Sequence, residues 1–137
     1  QMIGCVVGIV SVVAIAKIFG ASHIVVISLA SKSVTTPIAM EVTQALDGIP
    51  SLTAAIVVIT GLIGAVAGFK MLAVGHVRNP MALGLSMGAA SHALGTSAAM
   101  DKDGFVGAYA SLGLTLNGIL TALLTPTVIE MMYRLGL

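Results

Sequence analysis

Apolar runs of roughly twenty residues recur along this chain and are separated by short polar links, the spacing a helix needs to cross a lipid bilayer. The pattern predicts five membrane-spanning segments, at about 2–19, 22–46, 50–72, 80–100 and 105–135. The links carry helix punctuation. Asp47-Gly48-Ile49-Pro50 and Asp103-Gly104 read as turns, and Asn79-Pro80 reads as an N-cap followed by proline at the first helical position.

Two of the five runs are interrupted by polar blocks that match each other. The first is Ser31-Lys32-Ser33-Val34-Thr35-Thr36-Pro37-Ile38-Ala39-Met40-Glu41, and the second is Ser91-His92-Ala93-Leu94-Gly95-Thr96-Ser97-Ala98-Ala99-Met100-Asp101, sixty positions on. Both keep a leading Ser, a basic side chain, a small or β-branched run with a Thr, an Ala-Met pair and a closing carboxylate. The repetition predicts two broken helices that assemble one binding site from two halves.

Composition narrows the class. Of 137 residues 58% are hydrophobic and 8% charged, with a mean hydropathy of +1.11, whereas a soluble domain carries roughly 25% charged residues. The expected architecture is an all-α integral membrane protein, a single membrane domain over 1–137 with no soluble part. A net charge of +1 leaves no electrostatic footprint for nucleic acid. Cys5 stands alone, which excludes an internal disulfide and a cysteine metal site. The eight methionines are scattered and suggest lipid or packing contacts, so neither a metal nor a cofactor is expected. The chain opens on Gln1 with no basic stretch before the first apolar run, so that run is not read as a signal peptide, and a piece of a longer protein is expected.

If all five runs cross, Lys17, Lys70, His76, Arg78 and Arg134 share one side, and Asp47, Asp101, Lys102 and Asp103 the other. The positive-inside rule puts the first group in the cytoplasm. The two polar blocks then run in the same direction, unless one of their segments re-enters.

Lys32 lies about ten residues into its run, or about 15 Å from the membrane face at about 1.5 Å per residue. That is too deep for easy snorkelling, and a cation there costs several kcal/mol without water, a partner or a substrate. Pro37 lacks an N–H and disfavours helical dihedrals at Thr36, so a break is expected at that pair. A half-helix starting there aims its positive end at the break, where Ser33, Thr35 and Thr36 supply hydroxyls; with Lys32 this is a seat for a small anion. In the second block Gly95 supplies the break, and His92 replaces the lysine between Ser91 and Thr96. His92 changes charge near neutrality, so proton coupling is a further expectation, visible as uptake that varies between about pH 5 and 8. Gly84, Gly88, His92 and Thr96 are spaced four apart and form a small-residue track for another helix.

Plainer roles stand beside these. Membrane Ser and Thr commonly bond back to their own helix. His92 suits an interhelical hydrogen bond, and Lys32 an ion pair with Glu41 or Asp101 that locks helices. Gly4, Gly8, Gly61, Gly64 and Gly68 suit close helix packing and make a homo-oligomer plausible. Asn117 and Thr121 either reach the site or bond a neighbour, and Pro126 is expected to kink its helix. No nucleophile, base and orienting group occur together at usable spacing, so no enzymatic activity is expected.

The run Ser28-Leu29-Ala30-Ser31-Lys32-Ser33-Val34-Thr35-Thr36-Pro37-Ile38-Ala39-Met40-Glu41, with Gly48-Ile49-Pro50-Ser51-Leu52-Thr53 and Gly88-Ala89-Ala90-Ser91-His92-Ala93-Leu94-Gly95-Thr96, closely resembles the LrgB/CidB family. YohK-type inner membrane proteins and the membrane domain of the plastidial glycolate/glycerate translocator are its relatives. The resemblance covers nearly the whole chain. It implies a multi-pass protein of the bacterial inner membrane whose full-length members have further N-terminal helices, so this chain corresponds to the C-terminal part. It also implies one of two functions: transport of small monocarboxylates such as glycolate, glycerate or pyruvate, or antiholin-like control of murein hydrolase activity and lysis with a small LrgA/CidA-type partner. A buried lysine and histidine at two breaks favour the first. Family members often read Ala-Pro-Lys-Ser where this chain has Ala30-Ser31-Lys32-Ser33, so a helix-breaking proline ahead of Lys32 is absent.

Overall fold

The computed structural model describes residues 1–134; position 135, the end of the fifth expected run, lies outside them. Six helices follow in order: α1 (Met2–Ile18), α2 (His23–Ala30), α3 (Thr36–Ala45), α4 (Pro50–Val74), α5 (Pro80–Lys102) and α6 (Gly104–Arg134). No strand occurs among the described residues. Two of the helices, α4 with 25 residues and α6 with 31, are long and apolar enough to cross a membrane, and α1 is a shorter apolar helix of 17 residues. Val58, Ile59, Leu62, Ile63 and Val66 stand exposed on α4, as do Leu112, Leu116, Ile119 and Leu123 on α6. Water would penalise such faces, whereas lipid solvates them.

The stretch expected as one segment at 22–46 is two helices joined by residues 31–35. Pro37 does not interrupt a helix. It sits in the first turn of α3, where its missing N–H leaves nothing unpaired, and the extended residue is Thr35, at φ −60° and ψ 144°. The chain therefore leaves helical geometry before the Thr36-Pro37 pair, with no proline ahead of Lys32. The Ser31 hydroxyl donates to the Ala39 carbonyl at 3.2 Å, tying the end of α2 to α3.

A line of fully buried hydroxyls continues from there. Ser31 Oγ lies 3.1 Å from Thr43 Oγ1, which lies 2.9 Å from Thr53 Oγ1 on α4. Thr53 donates to the Ser28 carbonyl at 2.8 Å, and the Ser28 hydroxyl accepts from the Ile49 N–H, also at 2.8 Å. Each hydrogen has an acceptor, so the line satisfies itself while fastening α2, α3 and α4 together. A second, apolar cluster joins Ile9 and Val13 of α1, Val26 and Ile27 of α2, and Ile129 and Met132 of α6.

Helix α5 packs between α4 and α6, and glycines set how closely. A Cβ at Gly61 would strike the His92 ring, one at Gly64 the Ser91 side chain, and one at Gly68 the Met87 sulfur. On the other side, Cβ atoms at Gly84 and Gly88 would strike the α6 backbone at Val106 and Ala110, and one at Gly113 the backbone of Leu85. These glycines are spent on contacts within the chain. Gly4 and Gly8, by contrast, meet nothing within 4 Å. Helix α6 is continuous through Pro126.

Gly88→Ala should destabilise the protein by about 2–3 kcal/mol, because the obstacle is α6 backbone that cannot rotate aside. Gly8→Ala should be neutral or stabilising by up to about 1 kcal/mol. Thermal unfolding of the two purified variants in one detergent checks the contrast; equal melting points would count against this packing.

Candidate functional site

The turn after α2 presents Lys32 and Ser33 to a cavity of about 360 Å³. Its polar wall comes from three further helices: Cys5 on α1, Ser86 on α5, and Asn117 and Thr121 on α6. Lys32 is partly buried and donates to Ser33 Oγ at 3.2 Å. The ion pair with Glu41 or Asp101 that would have given it a purely structural role does not form. Among the described residues the one ion pair is Arg134–Glu130, at 2.5 Å, on the exposed end of α6. Glu41 and Asp101 are exposed. A cation at the wall of an apolar bundle with no carboxylate within 4 Å creates a positive potential that a small anion would neutralise.

Asn117 joins the two polar blocks. Its amide Nδ2 donates to the Ser33 carbonyl and to the Ala89 carbonyl, both at 3.0 Å. Both acceptors exist because both segments leave regular helix there: Ser33 lies in the turn after α2, and Ala89 precedes His92, whose backbone is non-helical at φ 41°, ψ −135° within α5. That positive φ is strained for a residue with a Cβ, and such a conformation persists only where surroundings enforce it. The enforcement is visible. His92 Nε2 lies 2.8 Å from the Val57 carbonyl on α4, and the ring occupies the space left by Gly61. The Thr96 hydroxyl donates back to the His92 carbonyl at 2.9 Å. Gly95 folds against the preceding half of the helix, where a Cβ would lie 2.6 Å from the Met87 carbonyl oxygen.

Val57 makes the second link between the blocks, since its side chain packs with Val34 of the first while its carbonyl meets His92 of the second. The blocks therefore come together, but not symmetrically. Lys32 and Ser33 line the cavity. Thr35, Thr36 and Pro37, at the amino end of α3, are not among its lining residues, and neither are His92, Gly95 and Thr96, which are held in helix contacts. Ser91 faces a different, mainly apolar cavity of about 310 Å³ between α4 and α5. The track Gly84, Gly88, His92, Thr96 divides as well: the glycines meet α6, while the kink turns His92 to α4.

The turn and the kink occupy two of the stretches whose sequence resembles the LrgB/CidB family, and the LrgB-like family model matches residues 1–131. The chain belongs to that family. This LrgB-family membrane protein is 41% identical over 119 residues to an uncharacterized protein of Haemophilus influenzae, covering 87% of this chain and 52% of that one. It is 36% identical over 130 residues to the holin-like protein CidB of Staphylococcus epidermidis, covering 95% and 57%. With the YxaC protein of Bacillus subtilis it shares 34% over 128 residues, covering 93% and 56%. The chain thus spans about half the length of the curated relatives it matches. No solved structure matches it significantly.

Replacing His92 separates backbone strain from side-chain contact. His92→Ala loses the Val57 bond and keeps a Cβ at positive φ, whereas His92→Gly loses the same bond and releases the strain. The glycine variant should therefore be the more stable by about 1 kcal/mol, read as a higher melting temperature.

Proposed function

We propose that this LrgB-family chain is the binding part of a multi-pass transport protein of the bacterial inner membrane, which moves small monocarboxylates of the glycolate, glycerate or pyruvate type. One observation carries the reading: Lys32, with no carboxylate in reach, opens on a cavity whose other polar side chains are the hydroxyls of Ser33, Ser86 and Thr121, the Cys5 thiol and the amides of Gln1 and Asn117. Lys32 anchors the anion and Ser33 assists. Thr35 and Thr36, at the amino end of α3, close the turn that carries Lys32 and Ser33, and Ser91, His92, Gly95 and Thr96 form the second half, which sets the position of the first through Asn117 and Val57. All five runs cross the bilayer in this reading, with residues 31–35 and His92 as the two helix breaks. Lipid covers the exposed faces of α4 and α6, and copies of the chain associate.

A second reading has its own support, the holin-like name of the staphylococcal CidB. In it the protein regulates murein hydrolase activity and lysis with a small LrgA/CidA-type partner and carries nothing.

Uptake of labelled glycolate and pyruvate into proteoliposomes containing the purified full-length protein, with and without such a partner, separates the two. Transport predicts uptake without the partner, lost by at least about tenfold in Lys32→Ala and retained in part by Lys32→Arg, which keeps the charge. No uptake under any condition, with lysis control intact in Lys32→Ala, would leave the regulatory reading standing.

A further inference from the structure

The hydrogen-bond inventory of the cavity is uneven, and the imbalance lies at Asn117. Its two amide hydrogens go to the carbonyls of Ser33 and Ala89. The opposite amide orientation would face an oxygen toward two carbonyl oxygens, so the observed one is fixed by its neighbours. The remaining atom, Oδ1, can only accept. Among the described residues no donor meets it, and the buried side-chain atoms left without any partner are Thr125 Oγ1 and Tyr133 OH, not this one. Asn117 lines the cavity, so its free oxygen is open to whatever enters.

Lys32, Ser33 and Ser86, which line the same cavity, lean the other way. Lys32 uses one hydrogen on Ser33 Oγ and has two left, Ser33 keeps its own hydroxyl hydrogen, and Ser86 makes no hydrogen bond within the described chain. Asn117 holds the carbonyl of Ser33, the residue next to Lys32, so the acceptor and the donors address one region of space. A carboxylate satisfies the donors and leaves the amide oxygen bare.

We infer that Asn117 is a specificity-determining residue: its free amide oxygen favours a carboxylate bearing a hydroxyl on the adjacent carbon over one bearing a keto oxygen there. The inference rests on the proposed transport reading. A ligand hydroxyl donates to Oδ1 while the carboxylate sits on Lys32, Ser33 and Ser86. A keto oxygen in the same place sets two acceptors against each other, and an unsubstituted acid leaves Oδ1 unpaired.

Three acids of one carbon skeleton test this with the purified full-length protein: 2-hydroxypropanoate, 2-oxopropanoate and propanoate, titrated by calorimetry. The hydroxy acid should bind roughly tenfold more tightly than propanoate, and the keto acid no more tightly than propanoate. In Asn117→Ser, whose shorter side chain cannot bridge both carbonyls and still face the cavity, the preference should disappear. Should that variant fail to fold, the wild-type comparison alone decides. Keto-acid binding equal to or tighter than hydroxy-acid binding, with Lys32→Ala abolishing both, would overturn the role of Asn117 while sparing the anion site. No Lys32-dependent binding of any of the three would remove both.

Discussion

Leaving a helix inside an apolar bundle strands backbone carbonyls, and each carbonyl without a partner costs far more there than in water. Two such departures occur here, in the turn after α2 and at His92 in α5, and one amide serves both. Asn117 stands at about the middle of α6, buried and flanked by Leu116 and Gly118. Its two bonds turn separate interruptions into one structural feature, because neither carbonyl can move without breaking a contact shared with the other. Lys32 and Ser33 owe their position beside α5 and α6 to that arrangement.

The rest of the fold holds the two departures at the right distance. On one side the hydroxyl line from Ser31 through Thr43 and Thr53 to Ser28 ties the turn to α3 and α4. On the other, glycines of α4, α5 and α6 let three helices approach to where side chains of normal size would collide. Within a membrane this division is physically sensible. Lipid gives little hydrophobic drive for helices to associate, so close van der Waals packing and internal hydrogen bonds hold them together. The strained backbone at His92 is sustained by the same contacts, through Val57 and Gly61.

The helical class, the links at Asp47, Asn79 and Asp103, and the departure from helix near Lys32 were all legible in the sequence, because each depends on local chemistry: hydrophobic length, caps, turns and a proline. The place of that departure was legible only approximately. Pro37 marks the start of α3 and not the end of α2, since a proline is tolerated in a first turn and the preceding residues do the bending. The partners of Asn117, the line of hydroxyls through Thr43 and Thr53, and the part Ser86 takes in the cavity were not legible. A serine or threonine in an apolar run has its own helix as the default acceptor, and only tertiary placement shows whether it bonds elsewhere. Asn117 carried the stronger signal, since an amide in a run that apolar must find partners. Their identity, at positions 33 and 89, depends on which helices meet.

The least legible property was the inequality of the two matched blocks. Similar residues stand at equivalent positions, yet Ser31 bonds into the hydroxyl line while Ser91 rests against Gly64, and Lys32 faces a cavity while the His92 ring is taken up by Val57. Backbone geometry explains the divergence. The first block unwinds over residues 31–35, which frees its side chains to turn toward open space. The second deviates at a single residue between two packed helices, so its side chains are captured by neighbours on either side. A histidine engaged at 2.8 Å with a carbonyl is already committed, whereas the lysine keeps most of its hydrogen-bonding capacity and has no carboxylate partner. Unused hydrogen-bonding capacity therefore concentrates on the first block, and the second fixes Ala89, and through Asn117 the turn that carries Lys32.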